Sequence, residues 1–132
     1  MGNYFAHWLK MASLIKNLPL IYQINWFRKV DGKFVWPGFG ENARPLKWVA
    51  QRCSGEAGAV ESPIGLLPKY EDFDLRGLDI DKNKFENEIE RVDKAEWEAE
   101  IARQADLFDL LKDTMPAELV AERDAVIARF NK

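Results

Sequence analysis

The chain has 132 residues, 47% of them hydrophobic and 31% charged, which is typical of a folded globular protein with one domain, or of a piece of a larger one. Its net charge of -3 excludes a global basic field for nucleic acid, and its single cysteine (Cys53) and single histidine (His7) exclude a disulfide framework and a Cys- or His-based metal site. Because no targeting signal and no apolar run of roughly 18 residues stands out, we predict a soluble cytoplasmic protein without a membrane partner.

The first predicted elements are a helix and a strand. Apolar residues recur at helical spacing over residues 3–16 and predict an amphipathic helix that ends before Pro19. Apolar and more polar residues then alternate over residues 20–27, which predicts a strand with Trp26 on its apolar face and Phe27 on the other.

A hairpin turn is predicted at Asp31-Gly32, where both residue types accept positive φ. A two-residue turn would place Lys29 opposite Phe34 and Phe27 opposite Trp36. Pro37 then ends the second strand. Asn42 is a candidate N-cap for a helix that reaches Cys53, and this helix has a predicted buried stripe formed by Leu46, Val49, Ala50 and Cys53.

The second half of the chain is predicted to be loops followed by helices. Residues 54–83 are rich in loop formers, with 62–68 as a short extended piece. Asp93 and Glu96 form a capping-box pattern ahead of a helix, and a second helix starts near Pro116, so the two predict an antiparallel helical hairpin. The carboxylates of residues 86–106 are interpreted as a solvated helix face with pairs such as Glu90 to Lys94. The predicted fold is α+β and mostly helical.

Five of the sixteen aromatic residues lie between positions 26 and 39, around glycine and proline. Aromatic rings on a bent, glycine-bearing loop are hard to bury, and their flat faces suit a flat ligand such as a purine. The alternative is a local core under a hairpin. Trp26 is interpreted as packing, whereas Trp36 fits either use. Arg28, Lys29 and Lys33 could hold phosphates or be solvated charges.

The stretch Asn25-Trp26-Phe27-Arg28-Lys29, followed by Asp31-Gly32-Lys33-Phe34-Val35-Trp36-Pro37-Gly38-Phe39-Gly40-Glu41-Asn42-Ala43-Arg44, closely resembles the guanine-binding segment of GTP-dependent phosphoenolpyruvate carboxykinases. Tyr4–Leu9 resembles the helix before that segment, and Ser62–Gly65 with Pro68-Lys69 resembles the segment after it. The resemblance is strong over residues 2 to 69 and looser beyond.

The resemblance implies a carboxyl-terminal fragment of a larger α/β carboxykinase domain. Residues 1–69 would be its guanine-recognition portion and 70–132 its helical tail. The family's enzymes convert oxaloacetate and GTP to phosphoenolpyruvate, GDP and CO2 in gluconeogenesis, using Mn²⁺ or Mg²⁺. By resemblance, Phe27 and Phe39 sandwich the guanine, Phe34 lines the pocket, and Gly40, Glu41 and Asn42 contact the guanine edge.

The family's phosphate loop, metal ligands, substrate-binding arginines and reactive cysteine have no counterpart among these residues, so we expect no catalytic or metal-binding residue here. We also expect the fragment to bind guanine nucleotides weakly or not at all, to lack carboxykinase activity, and to expose apolar surface that normally meets the rest of the enzyme and favours self-association. Two alternatives stay open: a free-standing guanine-nucleotide sensor, and a helical interaction module whose aromatic residues are all core.

Overall fold

The computed structural model describes residues 1–132. In chain order, the helices are α1 (Gly2–Leu14), α2 (Ala43–Ser54), α3 (Lys82–Lys84), α4 (Lys94–Leu111) and α5 (Ala117–Phe130), and the strands are β1 (Lys29–Val30), β2 (Lys33–Phe34), β3 (Val60–Ser62) and β4 (Gly65–Leu67). A π-helical turn, Phe85–Ile89, directly follows α3. Helix dominates and each sheet is a single antiparallel hairpin, which confirms the mostly helical α+β prediction.

The chain divides into two compact units, which we call the helical unit (Met1–Pro19 with Val92–Lys132) and the aromatic unit (Leu20–Arg91). The predicted division at residue 69 concerned portions of a family domain and stays a prediction, whereas this division follows the packing of the chain.

In the helical unit, α4 and α5 form the predicted antiparallel hairpin. The indole of Trp97 stacks on Phe130 with ring centroids 6.2 Å apart, and Lys94 donates to the Asn131 side chain at 2.9 Å, so the start of α4 meets the end of α5. Asp93 accepts from the Glu96 N–H at 3.0 Å, which confirms the predicted cap of α4.

The aromatic unit is organised around a core of buried aromatic and aliphatic side chains: Trp36, Trp48, Ala57, Phe73, Leu75, Ile80 and Phe85. Residues 20–27 pack beside it in an irregular conformation, so the predicted strand is wrong. The reason is that residues 20–27 have no partner strand: β1 begins only at Lys29. The predicted alternation of faces nevertheless holds, because Trp26 is partly buried and Phe27 exposed.

Helix α2 buries a different face from the predicted one. Pro45 and Trp48 are buried and Val49 is partly buried, whereas Leu46, Ala50 and Cys53 are exposed. Trp48 offers the largest area on this helix, and its ring meets Tyr22 edge to face at 5.8 Å. Burying that indole fixes the rotation of the helix, so the stripe predicted through Cys53 is wrong.

Two further corrections concern the second half of the chain. Residues 60–67 form the hairpin β3–β4, with Val60 opposite Leu67, where only an extended piece at 62–68 was predicted. Glu90 follows the π-helical turn, ahead of α4, and it is partly buried. Lys94 pairs with Glu98 at 3.8 Å, so the predicted pair of Glu90 with Lys94 is wrong.

No helix has the length and apolar character that crossing a bilayer requires.

Candidate functional site

The hairpin β1–β2 sets the position of the aromatic residues. Asp31 and Gly32 both have positive φ, at 49° and 76°, and Lys29 pairs with Phe34, which confirms the two-residue turn. The ladder does not continue to Phe27 and Trp36. It is Trp26 whose ring approaches Trp36, with centroids 6.5 Å apart, so the predicted pairing of Phe27 with Trp36 is wrong. The turn at Trp26-Phe27 ends the regular register.

Three phenyl rings of the aromatic unit face solvent. The exposed fractions are 75% for Phe27, 57% for Phe34 and 91% for Phe39. The ring of Phe27 contacts that of Phe34 edge to face at 6.3 Å, and the Lys29 ammonium lies 4.6 Å from the Phe34 centroid. The Phe34 ring is therefore already in contact with two neighbours, whereas Phe39 lies free at the surface.

A tight turn presents Phe39. Gly38 has φ 123° and ψ -167°, a conformation open to glycine almost alone. The N–H groups of Glu41 and Asn42 donate to the carbonyls of Gly38 and Phe39, both at 3.1 Å. These two N–H groups are therefore engaged within the turn, whereas the Asn42 side chain has a carboxamide with both a donor and an acceptor.

Asn42 precedes α2 as predicted, but its side chain does not cap that helix. Its Oδ1 accepts a hydrogen bond from the Trp36 indole Nε1 at 2.9 Å. Trp36 is only 9% exposed and packs edge to face on Phe73 at 6.1 Å. The Asn42 amide is thus attached to the core of the aromatic unit through the one polar atom of a buried side chain.

Glu41 serves the structure of the loop. Its carboxylate accepts from Arg44 Nε at 2.5 Å, and Arg44 also donates to the carbonyls of Asp74 at 2.6 Å and Arg76 at 3.0 Å. Arg44 therefore connects the aromatic loop to the segment at residues 74–76. The i,i+3 spacing of Glu41 and Arg44 was the available sequence signal for this ion pair.

Asp74 is the centre of a small charged cluster beside this loop. Its carboxylate accepts from Arg76 and Lys47, at 2.8 and 2.9 Å, and these two hydrogen bonds, that from Arg76 first, hold the pKa of Asp74 well below its usual range. Gly40, Glu41, Ala43, Arg44, Lys47, Asp74 and Arg76 line an open groove here. Asp74 offsets the cations of this groove, although the sequence did not indicate it as a site residue.

Two of the three hairpin cations, Arg28 and Lys29, make contacts within the chain, whereas the third, Lys33, is exposed. Arg28 donates to the Ile89 carbonyl at 3.3 Å and lies near Glu90, while Lys29 sits over Phe34. Desolvation on burial raises the pKa of Glu90 to about 7, an effect that the positive charge of Arg28 opposes.

The side chains offer no group of three or more His, Cys, Asp or Glu placed to hold a metal ion. The chemistry of this surface is that of aromatic rings, one amide and paired charges.

Comparison with known families gives a match over residues 1–129 to the model described as the phosphoenolpyruvate carboxykinase C-terminal P-loop domain. The matched range includes the whole aromatic unit and nearly all of the helical unit.

Individual relatives agree with that match. A protein of Anaeromyxobacter dehalogenans (strain 2CP-C) named phosphoenolpyruvate carboxykinase (GTP) is 44% identical over 129 residues, which are 97% of this chain and 22% of the relative. Proteins of the same name from Arthrobacter sp. (strain FB24) and Neocallimastix frontalis are 43% and 41% identical, each over 98% of this chain. The chain spans about a fifth of the length of these relatives, 21% and 22% for the last two.

Proposed function

Because the chain belongs to the GTP-dependent phosphoenolpyruvate carboxykinase family, we propose that it supplies the guanine-binding part of such an enzyme. The whole enzyme would convert oxaloacetate and GTP to phosphoenolpyruvate, GDP and CO2, a step of gluconeogenesis in the cytoplasm, with Mn²⁺ or Mg²⁺ held by residues outside this chain. Guanine nucleotide and the remainder of that enzyme are its proposed partners.

The observation that carries this proposal is the exposure of Phe27 and Phe39. A phenyl ring that is 91% exposed stabilises little by packing, and it is held in place by the hydrogen-bonded turn at residues 38–42. Such a ring is a platform for a base, and stacking on it contributes roughly 1–3 kcal/mol. An interaction module whose aromatic residues are all core does not fit these exposed rings.

The proposed roles are those implied by the family resemblance, adjusted to the contacts of this loop. Phe27 and Phe39 stack on the two faces of guanine, Phe34 lines the pocket from beside Phe27, and Asn42 pairs with the guanine edge. Gly40 lets the main chain approach the base because it carries no Cβ. Glu41 acts indirectly, by holding Arg44 and with it the loop.

Phe39→Ala tests this function. We expect it to weaken GMP binding by about fivefold to a hundredfold, the worth of one stacking contact, while the midpoint of thermal unfolding stays unchanged because the ring is solvent-exposed. Binding is measured by NMR titration, which detects the weak, roughly millimolar affinity expected when stacking and base pairing act without phosphate contacts.

Ile21→Ala is the matched control, since it also removes an exposed apolar side chain (82% exposed) from the aromatic unit. Equal loss of GMP binding in both variants would contradict the stacking role. Phosphoenolpyruvate formation by this chain alone would contradict the assignment of catalysis to residues outside it.

A further inference from the structure

The Asn42 side chain can pair with two different purines. A carboxamide has a donor and an acceptor side by side. In one orientation its N–H donates to guanine O6 while its oxygen accepts from guanine N1–H. Rotated by 180°, the same amide accepts from the adenine amino group and donates to adenine N1. An amide that is free to rotate therefore distinguishes the two bases poorly.

Trp36 removes that freedom. Its indole nitrogen is only a donor, so the atom that faces it at 2.9 Å must be Oδ1 of Asn42. Rotation of the amide would direct Nδ2–H at the indole N–H, which replaces a hydrogen bond by two opposed donors. The indole itself is held by the core, buried and packed against Phe73 and Trp26.

We propose that Trp36 is a specificity-determining positioning residue, which locks the Asn42 amide in the orientation that pairs with guanine and excludes the one that pairs with adenine. This inference rests on the proposed guanine-binding function. In the locked orientation Nδ2 donates to O6, and the second lone pair of Oδ1 remains for N1–H.

The locked amide pairs with O6 and N1–H of guanine and makes no hydrogen bond to the 2-amino group. Inosine carries the same O6 and N1–H without the 2-amino group. Contacts made by Asn42 should therefore contribute equally to GMP and IMP, and they should oppose AMP.

The test is Trp36→Phe, which keeps an aromatic ring in the core and removes the indole N–H. The affinities of the 132-residue chain for GMP, IMP and AMP are measured by NMR titration at equal ionic strength. We expect GMP and IMP to bind about fivefold to tenfold more weakly, by the worth of one net hydrogen bond. We expect AMP to bind as well as before or better, so that the preference for GMP falls.

Trp48→Phe is the matched control. Trp48 lies in the same core, and its indole Nε1 is buried without a hydrogen-bond partner. The Trp48→Phe variant loses the same atoms from the same core as Trp36→Phe does, but it loses no contact with Asn42. The ratio of GMP to AMP affinity should therefore stay at the wild-type value.

The outcomes separate the inference from the function beneath it. If Trp36→Phe weakens all three nucleotides equally, or leaves the GMP preference intact, Trp36 has only a packing role and the inference is overturned while guanine binding stands. If the wild-type chain shows no preference for GMP over AMP, the proposed function fails and the inference fails with it. A selective loss for GMP and IMP supports both.

Discussion

Trp36 and Phe39 are three residues apart in the sequence, and their surroundings are opposite. Trp36 is 9% exposed and donates its indole N–H to Asn42, whereas Phe39 is 91% exposed. The apolar part of the Trp36 side chain packs in the core, and its one polar atom donates a hydrogen bond to the loop. Phe39 stabilises the fold little, so its ring is available to a ligand. The same short loop therefore contains an amide that is hydrogen-bonded to the core and an aromatic ring that is open to solvent.

Asn42→Asp separates the donor of that amide from its acceptor. The carboxylate retains an oxygen that can accept from Trp36, so we expect the fold to be preserved. It has no N–H to donate to guanine O6, and it places a negative charge next to that carbonyl oxygen. We expect GMP binding to fall by at least about tenfold, since leaving a polar partner unpaired costs about 1–3 kcal/mol.

The measurement is the same NMR titration, with AMP as the comparison. An affinity for GMP that equals the wild-type value would show that Asn42 does not contact the base edge.

Glu90 predicts a pH dependence of stability. Its pKa is about 7 in the folded chain, above the ordinary value of 4.5, because burial disfavours the charged form. Below pH 4.5 the carboxyl group is neutral in both the folded and the unfolded chain, so its titration does not change the free energy of unfolding. As the pH rises from 4.5 to 7 the unfolded chain releases this proton first, so Glu90 progressively destabilises the fold.

Glu90→Gln should therefore raise the free energy of unfolding by about 2–3 kcal/mol above pH 7, and it should have no effect on that free energy near pH 4. Urea unfolding at pH 4, 6 and 8 measures this. An equal effect of the substitution at all three pH values would contradict the raised pKa.

At the scale of elements, the loop between β2 and α2 is held from three sides. The turn N–H groups bind the carbonyls of Gly38 and Phe39, Trp36 holds the Asn42 amide, and Arg44 joins Glu41 to the 74–76 segment. Each contact fixes a different part of a segment with little regular secondary structure. The Phe39 ring is thereby presented by a preorganised loop, which lowers the cost of ordering it on binding.

Gly38→Ala tests the loop, because its φ of 123° is strained for any residue with a Cβ even though no atom lies within 4 Å of that position. We expect a loss of about 1–3 kcal/mol in the free energy of unfolding, together with weaker GMP binding.

Gly40→Ala is the control, since Gly40 also has open space around it but does not have positive φ. It should leave the thermal unfolding midpoint nearly unchanged. Equal destabilisation by the two substitutions would show that backbone strain at residue 38 is not the cause.

At the scale of the whole molecule, much apolar surface is open to solvent. Large side chains in the aromatic unit, such as Leu20 and Ile21, and in the helical unit, such as Leu110, are more than half exposed. Monomeric proteins rarely leave large contiguous apolar patches uncovered. This surface is consistent with the proposal that the chain normally meets the remainder of a longer enzyme.

We therefore expect the isolated chain to self-associate and to bind hydrophobic dyes. Light scattering at increasing protein concentration should give an apparent mass above the 15.3 kDa of one chain, and the association should weaken on cooling, as hydrophobic contacts do. A single 15.3 kDa species at all concentrations, with no dye fluorescence, would contradict this prediction.

Local chemistry was sufficient for the Asp31-Gly32 turn, the cap of α4 at Asp93 and the alternation of Trp26 and Phe27, whereas Phe27, Phe39 and Asn42 became candidates through the resemblance to a known family. The turn, the cap and the alternation depend on the conformational preferences of single residues and on neighbours a few positions away. Contacts over longer distances decided the rest. The buried face of α2 depends on where Trp48 meets Tyr22 and the core, and the carbonyl partners of Arg44 lie 30 and 32 residues further along the chain. The orientation of the Asn42 amide depends on a hydrogen bond from an indole that the core holds in place, and a pattern of residue types contains no information about which way an amide is turned.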